Sequence, residues 1–137
     1  MKRENKFRGK DLIHKKWIYG GIAIDGKGNT VILPNENWHK GGTVNYETVC
    51  QYTGLKDSKD KEIYEGDIIK APSGRLYEVV FDTFKLEVNR TKEKVVDVYK
   101  IDGWCIKYHG AIDCLDDEVL HGVVIGNIFD NKGLLNE

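Results

Sequence analysis

The chain has 137 residues, enough for one domain that buries about two-thirds of the surface its unfolded form would expose. Its 21 basic and 22 acidic side chains leave a formal net charge of −1, which argues against a general nucleic-acid coater. Three cysteines, Cys50, Cys105 and Cys114, make no disulfide framework and fit a reducing compartment. No apolar run approaches the roughly 18 residues a membrane span requires, and no apolar segment follows the first charges, so a cytoplasmic protein with no membrane partner is expected.

Residues 1–16 carry a basic excess, with Phe7, Leu12 and Ile13 their sizeable apolar residues after Met1. They read as an arm or a first edge strand, and Lys2, Arg3, Lys6 and Arg8 are candidates for contact with a partner or a nucleic acid. Trp17 to Ile24 is rich in aromatic and β-branched residues, and Asp25 to Thr30 connects it to Val31-Ile32-Leu33 as a hairpin. The spacing of Gly26 and Gly28 lacks the third glycine and the helix of a dinucleotide fingerprint. Pro34 to Gly42 reads as a surface loop whose Trp38 caps the core or is exposed for a partner. Thr43 to Tyr52 then reads as one strand.

From Gln51 to Lys70 the chain alternates anchors and corners. Gly54 suits a tight turn, Lys56 to Lys61 reads as a solvated loop with nothing to bury, and Glu65-Gly66-Asp67 leads into Ile68-Ile69 through a glycine corner of the kind found where small barrels bend. Two groups of residues here, Glu47 to Asp57 and Lys61 to Ile69, together with Lys6-Phe7-Arg8-Gly9, Trp17-Ile18-Tyr19 and Val124 to Asn131, resemble the signature of the YopX-like family of phage and prophage proteins. The resemblance spans the chain but is absent from Asn89 to His121. It implies a small, mainly β protein of phage origin with no assigned biochemical role, so it transfers no functional residue.

Beyond Pro72-Ser73-Gly74, Leu76 to Phe81 and Phe84 to Val88 read as two strands joined around Asp82-Thr83, with Phe84, Leu86 and Val88 on one face and Lys85 and Glu87 in water. Asn89 to Lys94 is a charged turn before Val95 to Tyr99. Asp102-Gly103 then leads to Trp104 to Tyr108, where Trp104, Ile106 and Tyr108 share a face. Asp113 to Leu120 is the helical candidate: Ile112, Leu115 and Val119 recur at helical spacing, Asp113 can cap it and Gly122 can end it. Val123-Val124-Ile125 reads as a buried strand, Ile128-Phe129 as a last anchor.

Catalytic patterns are missing. Ser58 and Ser73 lack the Gly-x-Ser-x-Gly setting, no Gly-Lys precedes Ser or Thr, and no histidine is followed by glutamate. Cys105, His109, Cys114 and His121 are weak candidates for zinc, whose four ligands must converge at about 2.0–2.3 Å, but their spacing follows no familiar finger. No cofactor is expected.

The expectation is therefore an all-β protein with at most one or two short helices, a small SH3-like or related barrel. Residues 1–137 would form a single domain, with 1–46 as arm and hairpin extension, 47–131 as the barrel-like body and 132–137 as a tail. It would be a non-enzymatic phage accessory protein that binds a protein partner or itself, with Trp17, Tyr19 and Trp38 as contact residues. The alternatives are nucleic-acid binding through the basic arm and, more remotely, a zinc-dependent enzyme.

Overall fold

The computed structural model describes residues 6–90, 95–115 and 117–135. The chain divides into two compact units, one running to Lys56 and including Asp60–Glu65, the other comprising Asp57–Lys59 and the residues from Gly66 onward. Both are antiparallel sheets, so the all-β expectation holds.

The first unit is six-stranded: β1 (Phe7–Lys10), β2 (Trp17–Ile24), β3 (Thr30–Leu33), β4 (Gly42–Thr43), β5 (Cys50–Lys56) and β6 (Glu62–Tyr64), in the spatial order β4-β3-β2-β1-β5-β6. The expected hairpin of β2 and β3 is present, its loop closed by Asp25, whose Oδ1 accepts from the Lys27 and Asn29 amides. The supposed arm is a correction. β1 pairs with β2 on one side and β5 on the other, so a strongly polar strand occupies an interior position in the sheet.

Two further readings change here. Thr43 to Tyr52 is interrupted, because Asn45 caps a 3-10 turn over Tyr46–Thr48, accepting from the Glu47 amide at 3.1 Å while the Thr48 hydroxyl donates to the Asn45 carbonyl at 2.7 Å. A short polar side chain that bonds its neighbouring backbone competes with the ladder and ends it. Gly54, with φ 84°, does not end a strand. It sits at an irregularity inside β5, where the pairing with β6 shifts between Tyr52 and Lys56.

The second unit is five-stranded: β7 (Asp67–Lys70), β8 (Leu76–Arg90), β9 (Val95–Tyr108), β10 (Ala111–Cys114) and β11 (Val123–Asn127), ordered β10-β9-β8-β7-β11, with a single helical turn α1 (Asp117–Leu120). Ile68, Ile69, Val79, Cys105, Ile106 and Val119 form its buried centre. The two strands expected to meet around Asp82-Thr83 are one strand, and the charged turn expected at Asn89 to Lys94 lies in part outside the described residues. β8 and β9 pair without a break from Glu78↔Lys107 to Arg90↔Val95, and Asp82-Thr83 lies within the ladder opposite Asp102-Gly103. The Thr83 hydroxyl donates to the Asp102 carboxylate, so two residues that read as turn formers satisfy each other across the strands.

The helix is also shorter than expected. His109 and Gly110, at φ 47° and 81°, make a two-residue turn that returns Ala111–Cys114 to β9 as a strand, and helical backbone begins only at Asp117. Asp57, read as solvated, is 7% exposed: one carboxylate oxygen accepts from the Lys59 amide and the other from the Val124 amide, both at 2.8 Å. The strand at Val123 is half-buried, with Ile125 exposed, rather than fully buried.

The expected barrel is not closed. Each sheet has two ends, and among the described residues no pairing joins β4 to β6 or β10 to β11. In the second unit the reason lies in strand length: β8 and β9 run 15 and 14 residues, whereas β7 pairs with β8 only over Leu76–Glu78 and β10 with β9 only over Cys105–Tyr108.

Candidate interaction surface

Lys6, Arg8 and Lys10 are two residues apart, so an extended backbone puts all three on one face. The register then decides their neighbours. Arg8 lies opposite Tyr19 and Cys50, Lys10 opposite Trp17, and Tyr52 opposite Tyr64, with the Tyr52 amide donating to the Lys6 carbonyl. One face of the first sheet therefore carries three cations and four aromatic rings in alternation.

Arg8 is the centre of this array. The residue is 5% exposed, with the guanidinium 4.6 Å from the Trp17 ring centroid and 5.0 Å from that of Tyr64, and Nη2 donates to the Glu65 carbonyl at 3.2 Å. A planar, weakly hydrated cation loses less on leaving water than an ammonium would, and two ring faces offset part of that loss. Lys10 approaches Trp17 at 5.4 Å and Lys6 approaches Tyr52 at 5.6 Å. Lys6 Nζ also donates to Glu62 Oε2 at 2.6 Å, and Tyr64 Oη donates to Glu62 Oε1 at 3.2 Å.

Tyr64 links the rings, meeting Tyr19 edge-on at 5.5 Å and Tyr52 at 5.4 Å and 37°. Burial, and after it the Glu62 carboxylate, push its phenol well above the ordinary tyrosine value. It is a fixed hydrogen-bond donor near neutral pH. Tyr19 is the exposed member at 45%, and Trp17, Lys6 and Lys10 are half-buried.

Of the residues singled out from sequence, Lys6, Arg8, Trp17 and Tyr19 thus converge. Lys2 and Arg3 lie outside the described residues. Trp38 stands apart in a 3-10 turn over Trp38–Lys40, 64% exposed and stacked on His39 at 3.9 Å, so it does not cap the core. Lys10, Tyr52, Glu62 and Tyr64 were missed. The period-two spacing of Lys6, Arg8 and Lys10 was the available signal, and it becomes visible only once the segment is taken as a strand.

The four weak zinc candidates all lie in the second unit. Cys105 is buried, its thiol against the Asp82 and Gly103 carbonyls, and burial raises its pKa. Cys114 is its register partner across β9 and β10, His109 occupies the turn after β9, and His121 is exposed after α1. Among the described residues no three histidine, cysteine or acidic side chains are grouped to hold a metal ion. Nor, among them, is any helix long and apolar enough to cross a membrane.

Compared with known families, residues 6–136 match the model described as YopX protein. No curated protein matches the chain.

Proposed function

The chain belongs to the YopX family, and from that premise we propose that it is a non-catalytic protein-interaction module of phage or prophage origin, working in the cytoplasm of the bacterial host. The observation that carries this reading is the ring and cation array around Arg8. Its titratable groups are engaged with one another: Glu62 accepts from Lys6 and Tyr64, and Tyr64 is held protonated. Such a face favours recognition over proton transfer. Exposed Tyr19, flanked by half-buried Trp17 and Lys10, suits a protein segment that offers an apolar side chain beside a carboxylate, since aromatic and cationic residues are those enriched at binding hot spots.

The test is site-specific photocrosslinking. With a benzophenone side chain in place of Tyr19, irradiation in host cells is expected to give one discrete protein adduct, reduced by Lys10→Glu. Absence of any protein adduct would overturn the reading.

A second reading, nucleic-acid binding, is favoured by one feature: basic residues alternating with stacking rings, the pattern that single-strand binders use. A salt titration of oligonucleotide binding separates the two. Affinity that falls steeply with salt supports the second reading, and no binding at low salt ends it.

A further inference from the structure

β8 extends well beyond its neighbour β7. The two pair at Leu76, Tyr77 and Glu78, and the Val79 carbonyl accepts from the Gly66 amide at 2.8 Å. Past Val79, among the described residues, only β9 pairs with β8, which leaves the other edge of the strand open as far as Arg90. Such a row of amides and carbonyls invites another strand unless it is guarded.

The order of residues along that edge is self-complementary. When a second β8 is laid antiparallel about a two-fold axis at position 86, Lys85 falls opposite Glu87 of the other copy and Glu87 opposite its Lys85. The two exposed charges beside the axis each meet the opposite sign. The hydrogen-bond phase agrees. The Arg75 and Val79 carbonyls both point towards β7, so alternation turns positions 81, 83, 85, 87 and 89 towards the open edge. The pairs 85 with 87 and 83 with 89 would then be the hydrogen-bonded ones, and the two-fold axis would fall on a non-hydrogen-bonded pair, as antiparallel geometry allows.

The intramolecular ladder adds a reason for this occupant. Within the chain Lys85 lies directly opposite Lys100, and Glu87 opposite Val98. Like charges opposite each other destabilise a sheet, and among the described residues no carboxylate forms an ion pair with either lysine. A second copy would set Glu87 on the free side of Lys85.

We propose that the open edge of β8 pairs with the same edge of a second copy, giving a two-fold symmetric dimer through a continuous antiparallel sheet. This inference is independent of the first-sheet surface. Its failure would leave the protein-interaction reading untouched, and the converse also holds.

The test is sedimentation of the full chain at micromolar concentration, with Lys85→Glu, Glu87→Lys and the double variant. The wild type is expected to be a dimer. Each single reversal creates two like-charged pairs across the axis and is expected to weaken association about tenfold or more, while the double variant restores opposite signs and recovers the dimer. Lys85→Glu also relieves the contact with Lys100, so its melting temperature at monomeric concentration is expected to be no lower than that of the wild type. A monomeric wild type would overturn the proposal and identify the charges as edge guards. So would a dimer insensitive to both single reversals, or one that the double variant fails to restore.

Discussion

The two sheets solve the same problem with different materials. The second encloses an aliphatic centre, with Ile68, Ile69 and Val79 fully buried and Ile106 and Val119 nearly so. The first also buries Ile32 and Ile63, but one of its faces is built from Arg8, Tyr52, Tyr64 and their neighbours, with a guanidinium where an isoleucine would be expected. Apolar burial is non-directional and tolerates rearrangement, whereas a buried cation has to find its rings and carbonyl in place. The second sheet can therefore be read as a stability element. The first binds part of its stability to a specific arrangement of polar groups, and that arrangement is also its most distinctive surface.

The largest expected effect lies in the second sheet. Ile69→Ala removes a fully buried side chain between β8 and β11 and is expected to cost about 2–5 kcal/mol by denaturant unfolding. A loss under roughly 1 kcal/mol would contradict an aliphatic centre there, given the same series of core truncations.

Next comes Arg8→Ala in the first sheet, expected to cost about 2–3 kcal/mol through the lost carbonyl bond and the emptied space between Trp17 and Tyr64, and to shift Trp17 fluorescence. Arg8→Lys keeps the charge but not the planar fork, so it is expected to recover less than half of that loss. Full rescue by lysine would mean that charge alone matters and would erase the contrast between the sheets.

Asp57→Ala tests a smaller, directional contribution. It leaves the Lys59 and Val124 amides without their carboxylate and is expected to cost about 1–2 kcal/mol. Asp57→Asn, which keeps one acceptor oxygen, should fall between that variant and the wild type.

The pH dependence is the subtlest effect. Tyr64 has a folded-state pKa raised above its unfolded value of 10.0, so its contribution is complete below that value and is lost as pH rises beyond it, because the unfolded chain releases the proton first. Melting temperatures from pH 8 to 11 should therefore decline more steeply for the wild type than for Tyr64→Phe. Parallel curves would show that Tyr64 ionises as readily folded as unfolded.

Legibility followed the same divide. The exposure of Lys85 and Glu87, the shared face of Trp104, Ile106 and Tyr108, and the Pro72-Ser73-Gly74 corner were all readable, because side-chain period and turn chemistry act over a few residues. Asp82-Thr83 and Asp102-Gly103 read as turns for the same reason and were not. Each has a partner in register that satisfies its polar groups, and nothing local announces a partner some twenty residues away. Arg8 was placed in an arm or a first edge strand, since a polar segment carries no hydrophobic signal of a sheet interior.

The amino-acid order by itself determined the class of this protein, all antiparallel β, and its family, since strand periodicity and turn residues are properties of short stretches. It also set the charge pattern along β8. The tertiary structure alone decided that β1 is an interior strand, that Lys6, Arg8, Trp17 and Tyr64 share one face, and that the sheets stay open. These are matters of register and strand length, fixed by pairing between distant residues, and pairing is a property of the folded chain as a whole.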